Sequence, residues 1–298
     1  SMRSGLFILC AIVVSGVSLG AQSVPASPDS LRASGVLDWT IGTLQMSVEA
    51  PLDPKSRNAP AEPHYREQAI HRRLPALIEG VLSNIFFDSS RTIGDVLEAR
   101  PELIGNLYEV GENVEASYSR VAKDLSTVEV IYYLDLYPEV IQTVHSPADP
   151  RPLPRALGWH ATDDFSGVVI LASDLLPVRG EETTSLVRPA LLPEILDTTL
   201  NPVLTAEHIE PEVFTDRGVV SYTTSLDPAD WEEVVGSSPL RILARETFGI
   251  NRTDIIINRR DAGRLLSTET NRRVLSEGRV LVVIDSSVIR RSFRTDAP

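Results

Sequence analysis

Four prolines within nine residues, in the run SPADPRPLP at 146–154, constrain this chain more than any other feature. Each proline ring fixes φ and removes a backbone donor, so the run can neither enter a sheet interior nor continue a helix. It divides a 298-residue chain, long enough for two cores, near its midpoint. The division predicts a domain at 35–145, a linker at 146–158, a second domain at 159–288 and a tail at 289–298. The predicted fold class is α+β in two lobes, each with helices packed on a mostly antiparallel sheet.

In the first lobe, Leu44, Met46 and Val48 alternate with Thr43, Gln45 and Ser47, the period of a half-buried strand, and Trp39 and Ile41 extend that run upstream. Ile70, Leu74, Leu77, Ile78, Val81, Leu82 and Ile85 fall at helical spacing, with Pro75 predicting a kink or two shorter helices. Thr92 followed by Asp95 reads as a capping box, and Pro101 as the first turn of a further helix ending at Gly111. Strands at 113–121 and 127–137 close the lobe around a turn at Lys123 and Asp124. In the second lobe, strands are predicted at 167–172, 218–224, 240–248, 253–258 and 279–285, with a helical region at 261–275. Residues 177–216 hold five prolines without a clear period and read as an ordered excursion or a contact-making loop.

At the N-terminus, one arginine precedes an apolar run at 6–14 that is too short to span a bilayer and is followed by small residues. Residues 1–21 are therefore expected to be a signal peptide and 22–34 a flexible leader, with order beginning near Gly35. The expected location is periplasmic or secreted, with no integral membrane span after processing. The single cysteine, Cys10, lies inside the removed segment, so no disulfide framework or cysteine-rich metal site is expected. A formal charge of −13 opposes general binding to nucleic acid.

Motifs for chemistry are sparse. The sequence holds no phosphate-binding glycine loop and no Gly-x-Ser-x-Gly elbow, and its five histidines suggest no triad. Catalytic, cofactor and metal sites are all expected to be absent, and the protein is expected not to be an enzyme. His64, Glu67 and His71 line one side of a helix at i, i+3 and i+7, a spacing a solvated polar face also explains. The informative asymmetry is basic. Arg259, Arg260, Arg264, Arg272 and Arg273, with Arg279, Arg290, Arg291 and Arg294, form a basic stretch in an otherwise acidic chain, which either neutralises local acids such as Asp254, Asp261 and Glu269 or gives an interaction surface for the acidic part of a neighbouring copy or another protein. A rival reading, a glycan or small-molecule binding module, uses Trp159, His160 and Trp231 as stacking surfaces.

The second lobe carries, in order, GVVILASD at 167–174, PALLPEILD at 189–197, GVVSY at 218–222, GSSPL at 236–240, DIIIN at 254–258 and GRVLVVID at 278–285. This series resembles the exported envelope family that includes the flagellar assembly lipoprotein FlgP and the flagellar T-ring protein FlgT. The resemblance implies a structural or assembly protein of the envelope, possible partners being a second copy (a homo-oligomer) and envelope or flagellar proteins. The lipid-attachment cysteine of that family has no counterpart here, so lipid anchoring is not implied.

Overall fold

The computed structural model describes residues 30–53 and 55–297. The signal peptide expected at 1–21, with Cys10, and the leader up to residue 29 lie outside the described residues. Order starts earlier than Gly35: β1 (Leu31–Asp38) buries Leu31, Ala33, Gly35 and Leu37 and exposes the residues between them. At Gly35 an added Cβ would lie 2.9 Å from Val81 Cγ1, so the helix above leaves no room for a side chain. Trp39 and Ile41 do not extend the next strand. They occupy a turn in which Gly42 takes φ +66°, with Trp39 turned into the core and Ile41 71% exposed.

Beyond that turn run β2 (Thr43–Pro51), α1 (Glu62–Leu82), α2 (Ile93–Ala99) and α3 (Glu102–Asn113). Then come β3 (Ala116–Val121), β4 (Thr127–Asp135) and α4 (Ile141–Val144). Helix α1 is a single element through Pro75, where a kink or break is expected from sequence. The lost backbone bond is offset by burial, because Pro75 and the whole apolar stripe from Ile70 to Leu82 are packed away from water. Gly111 of α3 rides directly on Pro75, where a Cβ would meet the proline Cα at 2.7 Å. The capping box at α2 forms as the sequence predicts: Asp95 N–H donates to Thr92 Oγ1 at 3.3 Å, and Thr92 N–H to Asp95 Oδ2 at 2.7 Å.

The second lobe opens with β5 (Val168–Ala172) and the short pair β6 (Leu176–Pro177) and β7 (Thr184–Ser185). The excursion then supplies β8 (Ile195–Asp197), β9 (Pro202–Leu204) and α5 (Pro211–Arg217). Next are β10 (Ser221–Thr223), α6 (Glu232–Val235), β11 (Leu240–Leu243), β12 (Glu246–Phe248) and β13 (Asp254–Ile257). The chain closes with α7 (Arg259–Ser267), α8 (Glu269–Ser276), β14 (Val280–Ile284), α9 (Ser286–Ile289) and β15 (Arg290–Ala297). The strand expected at 240–248 is two strands in different sheets, parting at Ala244 and Arg245. The helical region at 261–275 is likewise two helices, because Thr268 leaves helical geometry and caps α8 by accepting from Asn271 N–H at 3.2 Å.

The α+β class and the two lobes stand. The first sheet, in the order β15-β1-β2-β4-β3, is antiparallel throughout, with α1 across one face. The second lobe departs from the antiparallel expectation. Its sheet β10-β14-β5-β11 is parallel throughout, and its central strands are apolar on both faces, as burial on two sides requires. A third sheet, β12-β13-β8-β9, is mixed.

Residues 290–297 are a strand rather than a tail. From the second lobe, β15 returns to pair with β1 along its whole length, and Phe293 is buried there. The two lobes share one continuous apolar core. Trp39 meets Tyr222 edge-on with centroids 5.8 Å apart, and His145 lies 5.2 Å from Phe214. A loop of the first lobe also docks by its backbone, Leu192 N–H donating to Phe87 carbonyl at 2.7 Å and Asn251 N–H to Ser89 carbonyl at 2.8 Å.

Candidate functional site

The proline connector does not hang free. It crosses the second lobe opposite the start of α7 and forms one wall of a groove of about 1030 Å3. Arg151, Arg155 and Leu157 come from the connector and His160 from just beyond it, Asp197, Asn201, Thr205, Glu207 and His208 from the excursion, and Arg259, Arg260 and Gly263 from α7. Each wall follows from local sequence. Asn258 caps α7 by accepting from Asp261 N–H at 2.8 Å, which leaves Arg259 and Arg260 exposed on the first turn. Gly263 lets the His160 ring lie against the helix, since a Cβ there would stand 2.4 Å from His160 Cε1. The connector is tied on by Arg151 N–H donating to Glu207 carbonyl at 2.7 Å and Ala156 N–H to Leu266 carbonyl at 3.2 Å.

The groove is positive in an acidic protein: four arginines line it against two carboxylates. Both carboxylates are engaged. Glu207 pairs with Arg151 at 2.9 Å. Asp197 accepts from Thr199 and Asn201, which hold its carboxyl below the ordinary range although partial burial acts the other way. Among the described residues, Arg155, Arg259 and Arg260 have no ion pair. Two of them stand on the N-terminal turn of a helix, where the backbone dipole already favours negative charge, so the cations are placed against their electrostatic preference. His208 is held below its usual pKa by burial and accepts from Thr205 N–H through Nδ1 at 3.1 Å. It caps the short turn that begins at Thr205.

The five arginines expected to form one surface separate. Arg259 and Arg260 face the groove. Arg264 lies 5.2 Å over the Phe165 ring and 3.5 Å from Asp261; Arg272 donates to Leu266 carbonyl at 2.9 Å; Arg273 sits 3.7 Å from Glu269. Those three serve the α7–α8 pair. Arg151 and Arg155, which complete the groove, were not expected from sequence. Their only signal is that they flank the prolines at 152 and 154, and nothing local reports that the connector folds back over α7. The expected stacking trio also fails to assemble: Trp159 is 87% exposed, His160 lies on α7, and Trp231 is 3% exposed with its indole N–H donating to Ser225 carbonyl at 2.9 Å.

Among the described residues, no group of three or more His, Cys, Asp or Glu side chains is placed to hold a metal ion, and no helix is long and apolar enough to cross a membrane. His64, Glu67 and His71 do share a cleft between α1 and the edge strand β3. Glu67 there accepts from Ser119 Oγ at 2.6 Å, and His64 Nε2 lies 3.0 Å from Gln68 Nε2.

No curated protein matches the chain. Both lobes are nevertheless matched by family models, residues 30–143 by that of the Treponema pallidum Tp0624 N-terminal domain and residues 167–286 by that of the Tp0624 second domain, in that order along the chain.

Proposed function

We propose that this protein is a non-enzymatic assembly protein of the cell envelope that works by protein–protein contact, its arginine-lined groove receiving an acidic segment of a partner. The observation that carries the reading is the set Arg155, Arg259 and Arg260, without an ion pair among the described residues, around one open groove in a chain of net charge −13. A protein so acidic gains nothing in folding from holding like charges together, whereas an incoming carboxylate-rich segment satisfies all three guanidinium groups at once. The envelope setting is supported by the short apolar run at 6–14. The matched family models describe Tp0624 domains and no flagellar protein, so the reading stops at the envelope.

A labelled oligo-glutamate peptide, titrated into the purified chain at low and moderate salt, tests this. Saturable binding that weakens with salt, and falls about tenfold in the Arg259→Ala/Arg260→Ala variant, is expected from exposed ion pairs. Light scattering across concentration separates an acidic segment donated by a second copy from one donated by a different protein.

A further inference from the structure

The cleft between α1 and β3 is a second site, independent of the arginine groove. It has a volume of about 640 Å3 and is lined by His64, Glu67, Gln68, His71 and Arg72 of α1, Tyr118 and Ser119 of β3, and Tyr132 of β4. This is within the size range of small-molecule sites, roughly 300–1,000 Å3. Its floor carries an unusual group. Tyr132 is 2% exposed, yet its hydroxyl has no hydrogen-bond partner among the described residues and borders the cleft. That hydroxyl is not sealed from solvent but opens into the cleft, where a ligand can take it as a hydrogen-bond partner. The rim repeats the pattern. His71 and Arg72 are exposed and unpartnered among the described residues, and Tyr118, 47% exposed, offers a ring face from the edge strand.

The lining specifies the ligand. Apolar surface, from the tyrosine rings, Ala116 and Val130, makes up the larger part of it with polar groups set among that surface, and the carboxylate of Glu67 is matched in charge by the guanidinium of Arg72, which disfavours a strongly charged ligand. What remains is a neutral molecule dense in groups that both donate and accept, with a flat apolar face to lie on a tyrosine ring. We propose that this cleft binds a neutral saccharide, a sugar ring lying against Tyr118 and its hydroxyls reaching the Tyr132 hydroxyl, Glu67, Gln68 and His71. An assembly protein with such a site is attached to glycan at one lobe while the other holds its protein partner.

Saturation-transfer NMR of the full chain with cellobiose, maltose and di-N-acetylchitobiose at millimolar concentration tests the proposal. At least one disaccharide is expected to bind saturably. Tyr132→Phe removes a hydroxyl that bonds to no group among the described residues, so it leaves stability unchanged and weakens the sugar about three- to tenfold, the loss of one hydrogen bond. Tyr118→Ala weakens it about tenfold through lost stacking, and Arg259→Ala/Arg260→Ala leaves it unchanged. Absence of binding by all three sugars overturns the proposal, as does binding that survives both tyrosine variants. Oligo-glutamate binding, unaffected by Tyr132→Phe, reports on the groove separately, so the two readings fail independently.

Discussion

Replacing Asp254 by asparagine is expected to stabilise the protein at pH 8 and to do little at pH 5. Asp254 opens β13, is 2% exposed, and lies where the first-lobe loop bearing Asp88, Ser89 and Arg91 docks on the second lobe. Burial pushes its carboxyl up to about 7, with Glu194 and Asp88 adding to the rise; hydrogen bonds from Glu194 N–H, at 3.0 Å, and from the Ser89 side chain act against it. The charged groups facing it are therefore two carboxylates, and the nearby Arg91 is spent on Asp88 at 2.6 Å. A carboxyl whose folded pKa is raised contributes stability that is complete below 3.8 and is lost as pH rises through about 7. Between pH 5 and pH 8 that loss is about 2.5 kcal/mol, given about 1.4 kcal/mol for each pK unit separating the folded and unfolded states. Asparagine keeps an oxygen to accept from Glu194 N–H and carries no charge, so it escapes the loss. Glu194, raised chiefly by burial, adds a change of the same sign. Denaturant unfolding of both proteins at the two pH values gives the difference directly. An asparagine effect equal at pH 5 and pH 8 would refute the assignment of a buried, charge-disfavouring site to Asp254.

Two glycines of α3 should respond oppositely to alanine. Gly111→Ala sets a Cβ 2.7 Å from the Pro75 Cα and should cost about 1–3 kcal/mol, whereas Gly105→Ala meets nothing within 4 Å and should gain about 0.5–1 kcal/mol, both read from denaturation midpoints. A chain ending at Ile289 loses β15 and the burial of Phe293, for about 1.5–3 kcal/mol from that side chain alone, and bares the edge of β1. Its melting midpoint should drop and its aggregation on sizing columns should rise; an unchanged midpoint would show the strand to be dispensable. Gly263→Ala pushes the His160 ring off α7 and should weaken oligo-glutamate binding without removing any arginine, with the helical circular-dichroism signal preserved.

Elements with a strong period or an explicit cap were legible in the sequence. The stripe of α1, the box at Thr92 and Asp95, and the alternation of Val128, Val130, Tyr132 and Leu134 each encode their geometry locally. β1 is not legible because Arg32, Ser34 and Gly35 dilute its apolar residues; Arg32 and Ser34 lie on its exposed face, and Gly35 sits beneath Val81. β15 is rich in arginine and reads as a polar tail until its partner is known; its strand character comes from the free edge of β1. Strand direction in the second lobe was hidden for a similar reason, since continuous apolar runs such as VVILA and VLVVI record burial on both faces but not orientation. Of the candidate site, Arg259 and Arg260 are visible in the sequence as part of a basic stretch, just ahead of the helical region expected at 261–275. The groove itself was not, because its opposite wall depends on where the connector lies, and proline-rich sequence fixes stiffness rather than course.

On the proposed function, the arginine groove captures acidic polypeptide. Isothermal titration of the intact chain with oligo-glutamate, beside a triple variant carrying Arg155→Ala, Arg259→Ala and Arg260→Ala, tests it most directly. Saturable, salt-sensitive binding by the wild type that the triple variant loses, with both proteins unfolding at the same denaturant concentration, is the predicted result. Equal affinity in the two proteins, or no heat of binding in the wild type at low salt, would contradict it.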